Sequence, residues 1–258
     1  MLLALDIGNS DITIGLHDSK EWLHIWRMPS GSLTEVFYGL KLQNFFLEAG
    51  LRTDQIDGVI ISSVVPDLTD TLIQVTSTLF GVKPLILAGP LYDSLPVKVL
   101  NPYEIGSDLV ANAVAAFSFF RNACVVVDFG TALTFTVINS SGEISGVAIA
   151  PGLKTSVKAL SQNTAKLFDV PLEYPSSVLG RNTVQAIQAG LMFGYEGMVE
   201  RILARVKEEL KSEVLSVATG GLSTVIPELT SRVDKIIPTL TLDGLKIIHD
   251  LIANYSRR

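Results

Sequence analysis

The 258-residue chain has little or none of what several protein classes require. Cys124 is its one cysteine, so no disulfide can form within the chain, and we expect a reducing compartment such as the cytoplasm. Its three histidines have no spacing typical of zinc ligands, and no Gly-x-Ser-x-Gly elbow of a hydrolase occurs. No apolar run reaches the roughly 18 residues that span a bilayer. No basic leader precedes Asp6, so we expect neither secretion nor membrane anchoring.

Positive charge is also scarce. The chain has 20 Lys and Arg against 26 Asp and Glu, a formal net charge of −6, and its one basic cluster is Arg257-Arg258. This balance argues against nucleic-acid binding. An acidic protein that binds an anionic ligand must neutralise the ligand's charge with backbone donors and metal ions instead. Hydrophobic residues are plentiful at 48%, which predicts a core large enough for two compact lobes.

A short phrase occurs twice in the chain. Residues 2–10 read LLALDIGNS, and residues 125–131 read VVVDFGT. In each copy an apolar run ends in Asp, a Gly follows two residues later, and the chain then leaves in β-like alternation. The pattern predicts a buried strand, a tight turn and a returning strand in both places. Two such turns facing each other across a cleft would clamp the phosphates of a nucleotide, as in a phosphotransferase.

The residue types in this phrase suit phosphate binding. Gly lets the backbone approach a ligand closely, and the N–H groups of the turn then point at anionic oxygens. The hydroxyls of Ser10, Thr13, Thr131 and Thr134 would add donors. The strand-end carboxylates repel phosphate but can hold a cation that neutralises it. An ordinary hairpin turn explains one copy equally well, whereas two copies after fully apolar strands favour a binding site.

Strands and helices alternate along the rest of the chain. Strands are predicted over residues 58–63, 84–87 and 214–217, and helices over 66–79, 107–120, 183–210 and 243–255. In the third of these helices Ala186, Gly190 and Gly194 are four residues apart and form a bare face suited to tight packing or a dimer contact. A β-hairpin followed by α/β elements occurs twice, which predicts an α/β fold with two similar lobes.

Several further stretches share a family pattern. They are Ser62-Ser63-Val64-Val65-Pro66, Asn101-Pro102 with Gly106-Ser107-Asp108, Asn112-Ala113-Val114-Ala115, Ile149-Ala150-Pro151-Gly152, Thr164-Ala165-Lys166-Leu167, and Asn182-Thr183 with Ala186-Ile187-Gln188-Ala189-Gly190. Together with the two Asp-x-Gly phrases, their order and spacing resemble the type III pantothenate kinase family. That family belongs to the superfamily of acetate kinases, sugar kinases, Hsp70 and actin.

The resemblance implies the actin-like ATPase superfold, with two ribonuclease-H-like lobes over residues 1–117 and 118–258 and a cleft between them. It implies ATP-dependent phosphorylation of pantothenate to 4′-phosphopantothenate, the first step of coenzyme A biosynthesis. It also implies Mg²⁺ with ATP, a monovalent cation (K⁺ or NH₄⁺), and a homodimer whose substrate pockets lie near the subunit interface.

The resemblance also implies roles for residues at matching positions. Asp108 is the expected general base, and Asp128 is the expected ligand of the monovalent cation. ATP is expected to contact Asp6, Ile7, Gly8, Asn9, Ser10, Asp11, Ile12, Thr13 and Thr131. Pantothenate is expected to contact Val99, Gly106, Ser107, Asp108, Leu109 and Thr183. From the residues alone, Asp108 and Thr183 could instead cap their helices, and Asp128 could be a satisfied strand-end residue.

Three positions depart from the family pattern. Val99 stands where the family usually has Tyr, Leu109 where it has Arg, and Asp11 where an uncharged or basic residue is more common. The first two changes remove hydrogen-bond donors from the part of the site expected to bind pantothenate, the phosphoryl acceptor. An added carboxylate near phosphates weakens ATP binding unless it meets a metal ion. Two alternatives therefore stand beside a pantothenate kinase: a paralogous kinase for another small alcohol, and a non-catalytic nucleotide-binding regulator of the same fold.

Overall fold

A computed structural model describes the protein over residues 1–31, 34–164 and 166–255. Ala165 and the Arg257-Arg258 pair, both named in the sequence analysis, lie outside these described residues. The chain divides into two compact units, Met1–Ala115 with Leu240–Arg258, and Ala116–Thr239. No helix in the described ranges is long and apolar enough to cross a membrane.

The described residues form ten strands and seven α-helices. The strands are β1 (Leu2–Ile7), β2 (Asp11–His17), β3 (Trp22–Pro29), β4 (Gly58–Ser63), β5 (Leu85–Ile86), β6 (Cys124–Phe129), β7 (Ala132–Ile138), β8 (Ile144–Pro151), β9 (Leu215–Thr219) and β10 (Lys235–Ile236). The helices are α1 (Glu35–Glu48), α2 (Pro66–Phe80), α3 (Gly89–Tyr92), α4 (Ser107–Phe120), α5 (Leu153–Asn163), α6 (Thr183–Leu210) and α7 (Leu240–Tyr255). Every element predicted from the sequence is present, with its ends shifted by a few residues at most.

The sheet of the first unit has the strand order β3-β2-β1-β4-β5. β1, β2 and β3 are antiparallel neighbours, whereas β1, β4 and β5 run parallel. Successive side chains of a strand face opposite sides, so alternate apolar residues of β1 and β2 point to α1 and α2. The resulting core contains Leu3, Leu5 and Ile7 of β1 with Leu42 of α1 and Leu72 of α2. Burying each such side chain contributes about 1.5–3 kcal/mol.

Helix α7 belongs to the first unit, although it follows the second unit in the chain. It packs against β1 and β4. A Cβ at Gly244 would overlap the carbonyl group of Ala111, so a glycine is needed where α7 touches the backbone of α4. Thr241 Oγ1 also donates a hydrogen bond to Asn112 Oδ1 at 2.8 Å. The predicted second lobe, residues 118–258, is therefore corrected: these contacts join the last helix to the first unit.

The second unit repeats the topology of the first. Its strand order is β8-β7-β6-β9-β10, with β6, β7 and β8 antiparallel and β6, β9 and β10 parallel. Val125, Val127 and Phe129 of β6 pack in a core with Met192 and Val199 of α6. Each copy of the repeated phrase thus forms the central strand of a sheet and the turn into a hairpin. The prediction of an α/β fold with two ribonuclease-H-like lobes is confirmed.

Candidate active site

The first predicted phosphate turn joins β1 to β2. The N–H of Gly8 donates to the carbonyl of Asp11 at 3.1 Å and closes the turn. Asn9, Ser10 and Asp11 are exposed there, whereas the side chains of Ile7 and Ile12, the predicted ATP contacts on either side of the turn, are fully buried in the core. A ligand at this turn therefore meets the backbone and the exposed polar side chains of residues 8–11, because the flanking isoleucines anchor the hairpin.

The carboxylate of Asp6 stands near the end of β1, between two hydroxyl residues. Asp6 is opposite Thr13 of β2 and Ser62 of β4 in the sheet. Residues directly opposite each other on neighbouring strands project to the same face. This face of the first unit thus presents a carboxylate with a hydroxyl on either side.

A hydrogen-bonded serine cluster ties the start of α4 to the same place. Ser107 Oγ lies 2.9 Å from Ser62 Oγ and accepts a hydrogen bond from the N–H of Ser63 at 3.0 Å. Ser62 is opposite Asp6, and Ser107 directly precedes Asp108. The two carboxylates therefore belong to one edge of the first unit, at the carboxyl ends of the parallel strands β1 and β4. Ligands of open α/β sheets bind at this edge.

Asp108 lies in the first turn of α4 and is partly buried. Burial raises the pKa of its carboxyl group, and the hydrogen bond that the Leu109 N–H donates to Oδ1 at 2.9 Å opposes this shift. A Cβ at Gly106 would overlap the same carboxylate oxygen, so a side chain at this position would displace the carboxylate. Because α4 begins at Ser107, Asp108 is inside the helix and not at its N-cap. A carboxylate whose pKa is raised by burial is suited to accepting a proton.

Two of the residues expected to contact pantothenate are apolar. Val99 is half-buried, and Leu109 is buried with 7% of its surface exposed. Tyr103, which follows Val99 by four residues, is 93% exposed and so does not replace the tyrosine that the family has at Val99. The hydroxyl of Ser107 is already hydrogen-bonded to Ser62 and to the N–H of Ser63.

The second strand-end carboxylate, Asp128, has its own pair of hydroxyls. It is opposite Thr134 of β7 and Thr219 of β9. Both threonine Oγ1 atoms are buried and find no hydrogen-bond partner among the described residues. Leaving a buried hydroxyl unpaired costs roughly 1–3 kcal/mol. Two such hydroxyls beside a carboxylate fit a cation, because all three groups offer hard oxygen ligands.

Thr131 follows Asp128 in the turn between β6 and β7. Its carbonyl accepts hydrogen bonds from the N–H of Gly152 at 2.9 Å and from Thr155 Oγ1 at 2.7 Å. These contacts fix the turn to the start of α5. The residue itself is exposed, as a ligand-contacting residue must be.

Thr183, the predicted substrate contact, is the first residue of α6. The N-cap is Asn182, whose side chain accepts from the N–H of Gln185 at 2.9 Å, so the interpretation of Thr183 as a cap is wrong. Thr183 is exposed and borders a cavity of ≈ 580 Å³. The other lining residues are Leu160, Leu167, Gly180, Arg181, Asn182, Ala186, Ile187, Gly190 and Leu191.

The predicted bare face of α6 adjoins this cavity. Ala186, Gly190 and Gly194 are all exposed, and a Cβ at either glycine would meet no atom within 4 Å. The glycines therefore do not serve tight packing within the described part of this chain. The dimer contact stays a prediction.

The predicted site residues divide between the two units. The turn from Asp6 to Thr13, Val99 and residues 106–109 belong to the first unit, and Asp128, Thr131 and Thr183 belong to the second. Across residues 1–31, 34–164 and 166–255, no three His, Cys, Asp or Glu side chains are grouped as metal ligands. A cation at Asp6 or Asp128 would therefore take further ligands from hydroxyls, backbone carbonyls, water or phosphates.

Solved structures share this fold at low sequence identity. The activator of 2-hydroxyisocaproyl-CoA dehydratase from Clostridium difficile, with bound ADPNP, is 13% identical with a TM-score of 0.55, covering 100% of this chain and 97% of that one. MreB 5 of Spiroplasma citri, bound to AMPPNP, is 10% identical with a TM-score of 0.56, covering 99% of this chain and 98% of that one. These likenesses support the two-lobed fold.

Curated relatives are much closer in sequence. The type III pantothenate kinase of Geobacter sulfurreducens is 41% identical over 251 residues, covering 97% of this chain and 98% of the relative. That of Anaeromyxobacter sp. strain K is 43% identical over 251 residues, covering 97% and 99%. The family model described as type III pantothenate kinase matches residues 2–205. The chain therefore belongs to the type III pantothenate kinase family.

Proposed function

We propose that this protein transfers the γ-phosphoryl group of ATP to the primary alcohol of pantothenate, which yields ADP and 4′-phosphopantothenate at the first step of coenzyme A biosynthesis. One observation carries the proposal: Asp108, a partly buried carboxylate with a raised pKa, lies at the same strand edge as the Asp6 turn. Membership of the family over nearly the whole chain supports the identity of the substrate.

Asp108 is the general base of the proposed reaction. The alcohol oxygen attacks the γ-phosphorus, the bond from that phosphorus to the bridging oxygen of ADP breaks, and Asp108 accepts the alcohol proton. Burial raises the pKa of the carboxyl group, which makes the ionised form a stronger proton acceptor. The carboxylate must be ionised before the reaction, so activity should fall at low pH.

The two turns are proposed to bind the phosphates of ATP through backbone N–H groups, aided by the hydroxyls of Ser10, Thr13 and Thr131. Mg²⁺ bound with ATP would neutralise charge on the phosphates, and Asp6 is the carboxylate that we propose holds it. Asp11 is exposed at the same turn, where its charge is tolerated if it faces this metal ion.

A monovalent cation, K⁺ or NH₄⁺, is proposed to bind at Asp128. The unpaired hydroxyls of Thr134 and Thr219 support this site, because a cation would give both oxygens a partner. The cation would add positive charge near the second turn. Asp128 itself then acts as a cation ligand and does not contact phosphate.

The proposed assembly is a homodimer in the cytoplasm. The exposed bare face of α6 and the adjoining cavity at Thr183 support a contact between copies at this helix. Thr183 would contact pantothenate at this interface. The absence of any possible internal disulfide and the use of ATP support the cytoplasmic location.

The purified protein with ATP, Mg²⁺ and K⁺ tests the proposal directly. Mass spectrometry should detect 4′-phosphopantothenate from pantothenate, and Asp108→Asn should lower kcat by about 10²–10⁴-fold with little change in the KM for ATP. Asp67→Asn is the matched control, because Asp67 also lies in the first turn of a helix but is exposed. This control should retain the parent kcat.

The same assay separates the alternatives. Turnover of other small alcohols without turnover of pantothenate would establish a paralogous kinase. ATP binding without turnover of any alcohol would establish a nucleotide-binding regulator. Either result overturns the proposed function.

A further inference from the structure

The acceptor side of the site lacks donors where the family usually has them. Val99 is aliphatic, and Leu109 is aliphatic and 7% exposed. Tyr103 is 93% exposed, so its phenol is surrounded by solvent. Pantothenate nevertheless carries hydroxyl and amide oxygens that need donors when they leave water. A donor from another position of the first unit would take the place of the missing ones.

Tyr92 lies at the required edge of the sheet. It is the last residue of α3, the short helix that follows β5. The Leu87 N–H donates to the Ile61 carbonyl at 2.9 Å, which extends the pairing of β4 and β5 up to the start of this helix. A Cβ at Gly89 would lie 3.5 Å from the Pro102 carbonyl oxygen, so α3 packs against the segment that leads into α4. These contacts place α3 beside the carboxyl ends of β1, β4 and β5.

The ring of Tyr92 is buried, but its hydroxyl is not. Tyr92 as a whole is only 5% exposed, and its hydroxyl makes no hydrogen bond within the described part of the chain. The hydroxyl is not one of the buried side-chain atoms that lack a partner, so it keeps accessible surface and can meet a ligand. Burial and the neighbouring charge of Asp108 raise the pKa of Tyr92, so the phenol keeps its proton at neutral pH and remains a donor.

We infer that the Tyr92 hydroxyl donates a hydrogen bond to the pantoyl half of the substrate, next to the alcohol that Asp108 deprotonates. This inference rests on the proposed function. The pantoyl half offers two neutral hydrogen-bond acceptors, a secondary hydroxyl and an amide carbonyl. The terminal carboxylate of pantothenate does not suit this position, because the ionised Asp108 would repel it. Tyr92 thus supplies a donor that Val99 and Leu109 cannot.

Tyr92→Phe tests the inference because it removes the hydroxyl and retains the ring. We expect kcat/KM for pantothenate to fall about tenfold, the size of one net hydrogen bond, with an unchanged KM for ATP and an unchanged unfolding midpoint. Tyr103→Phe is the matched control and should stay within about twofold of the parent, because its phenol is exposed. Pantothenyl alcohol, which has the pantoyl half without the carboxylate, is the second substrate. Tyr92→Phe should lower its kcat/KM by the same factor.

The outcomes distinguish this inference from the proposed function. A parent protein that phosphorylates pantothenate while Tyr92→Phe matches it overturns the inference alone. A loss confined to pantothenate, with pantothenyl alcohol unaffected, also overturns it, because the contact would then be to the carboxylate. A parent protein without activity on pantothenate overturns the proposed function, and the inference with it.

Discussion

Gly220 should be intolerant of a side chain for two separable reasons. Its φ of +90° is unfavourable for L-residues, and adopting it costs about 1–2 kcal/mol. A Cβ there would also lie 2.7 Å from the backbone N and C of Phe129 and would overlap the Asp128 carboxylate. Such crowding costs typically about 1–3 kcal/mol. The neighbouring atoms cannot easily move, because Phe129 belongs to the central strand and Ser223 Oγ bonds the Gly220 carbonyl at 2.7 Å.

Gly220→Ala should therefore lower the free energy of unfolding by about 2–5 kcal/mol. Gly81→Ala is the matched control, because Gly81 has a φ of +69° but a Cβ there would meet nothing within 4 Å. It should cost only the conformational part, about 1–2 kcal/mol. Urea denaturation followed by circular dichroism measures both variants. Equal losses would refute the close approach of Gly220 to Asp128 and Phe129.

Three further predictions concern stability. Ser107→Ala should lower the free energy of unfolding by about 1–3 kcal/mol, because the N–H of Ser63 loses its partner at 3.0 Å; a loss below about 0.5 kcal/mol in urea denaturation would contradict this. Burial lowers the pKa of His17, so the folded protein binds this proton more weakly than the unfolded chain does. Stability should fall as the pH drops below about 6.5, and thermal denaturation of His17→Gln should show a smaller fall. The raised pKa of Asp108 makes stability depend on pH in the opposite direction. Stability decreases as the pH rises from the pKa of Asp108 in the unfolded chain through its pKa in the folded protein. Asp108→Asn should therefore raise the melting temperature at pH 7 but not below about pH 3, and an equal effect at both would exclude the burial of this charge.

The two central hairpins were predictable because their strands are buried. β1 and β6 are continuous apolar runs that end in the same phrase, and each occupies the centre of a sheet. The edge strands β3 and β8 were not predicted. β8 is exposed at most of its positions, so no buried face imposes an apolar pattern on its sequence. The place of α7 in the first unit was not predictable either, because it depends on contacts between distant segments.

The residues of the candidate site also divide into those with a local sequence motif and those that depend on contacts between distant segments. The sequence indicated Asp108 and Asp128 as candidates because each belongs to a short motif. It did not indicate Thr219 and Tyr92, because the roles proposed for them depend on packing between elements far apart in the chain. Thr219 meets Asp128 through the register of β6 and β9, and Tyr92 reaches the neighbourhood of Asp108 through the position of α3. Tertiary placement of this kind leaves no local signal in a single sequence.

The position of α7 has a consequence for biosynthesis. During translation the ribosome makes β1 before the second unit, whereas its covering helix emerges only after that unit. The apolar surface of β1 and β4 that α7 covers must therefore stay exposed while residues 116–239 are synthesised. Premature termination near residue 239 would leave a nascent product with this surface bare, and such a product would be a natural target for chaperones and proteases.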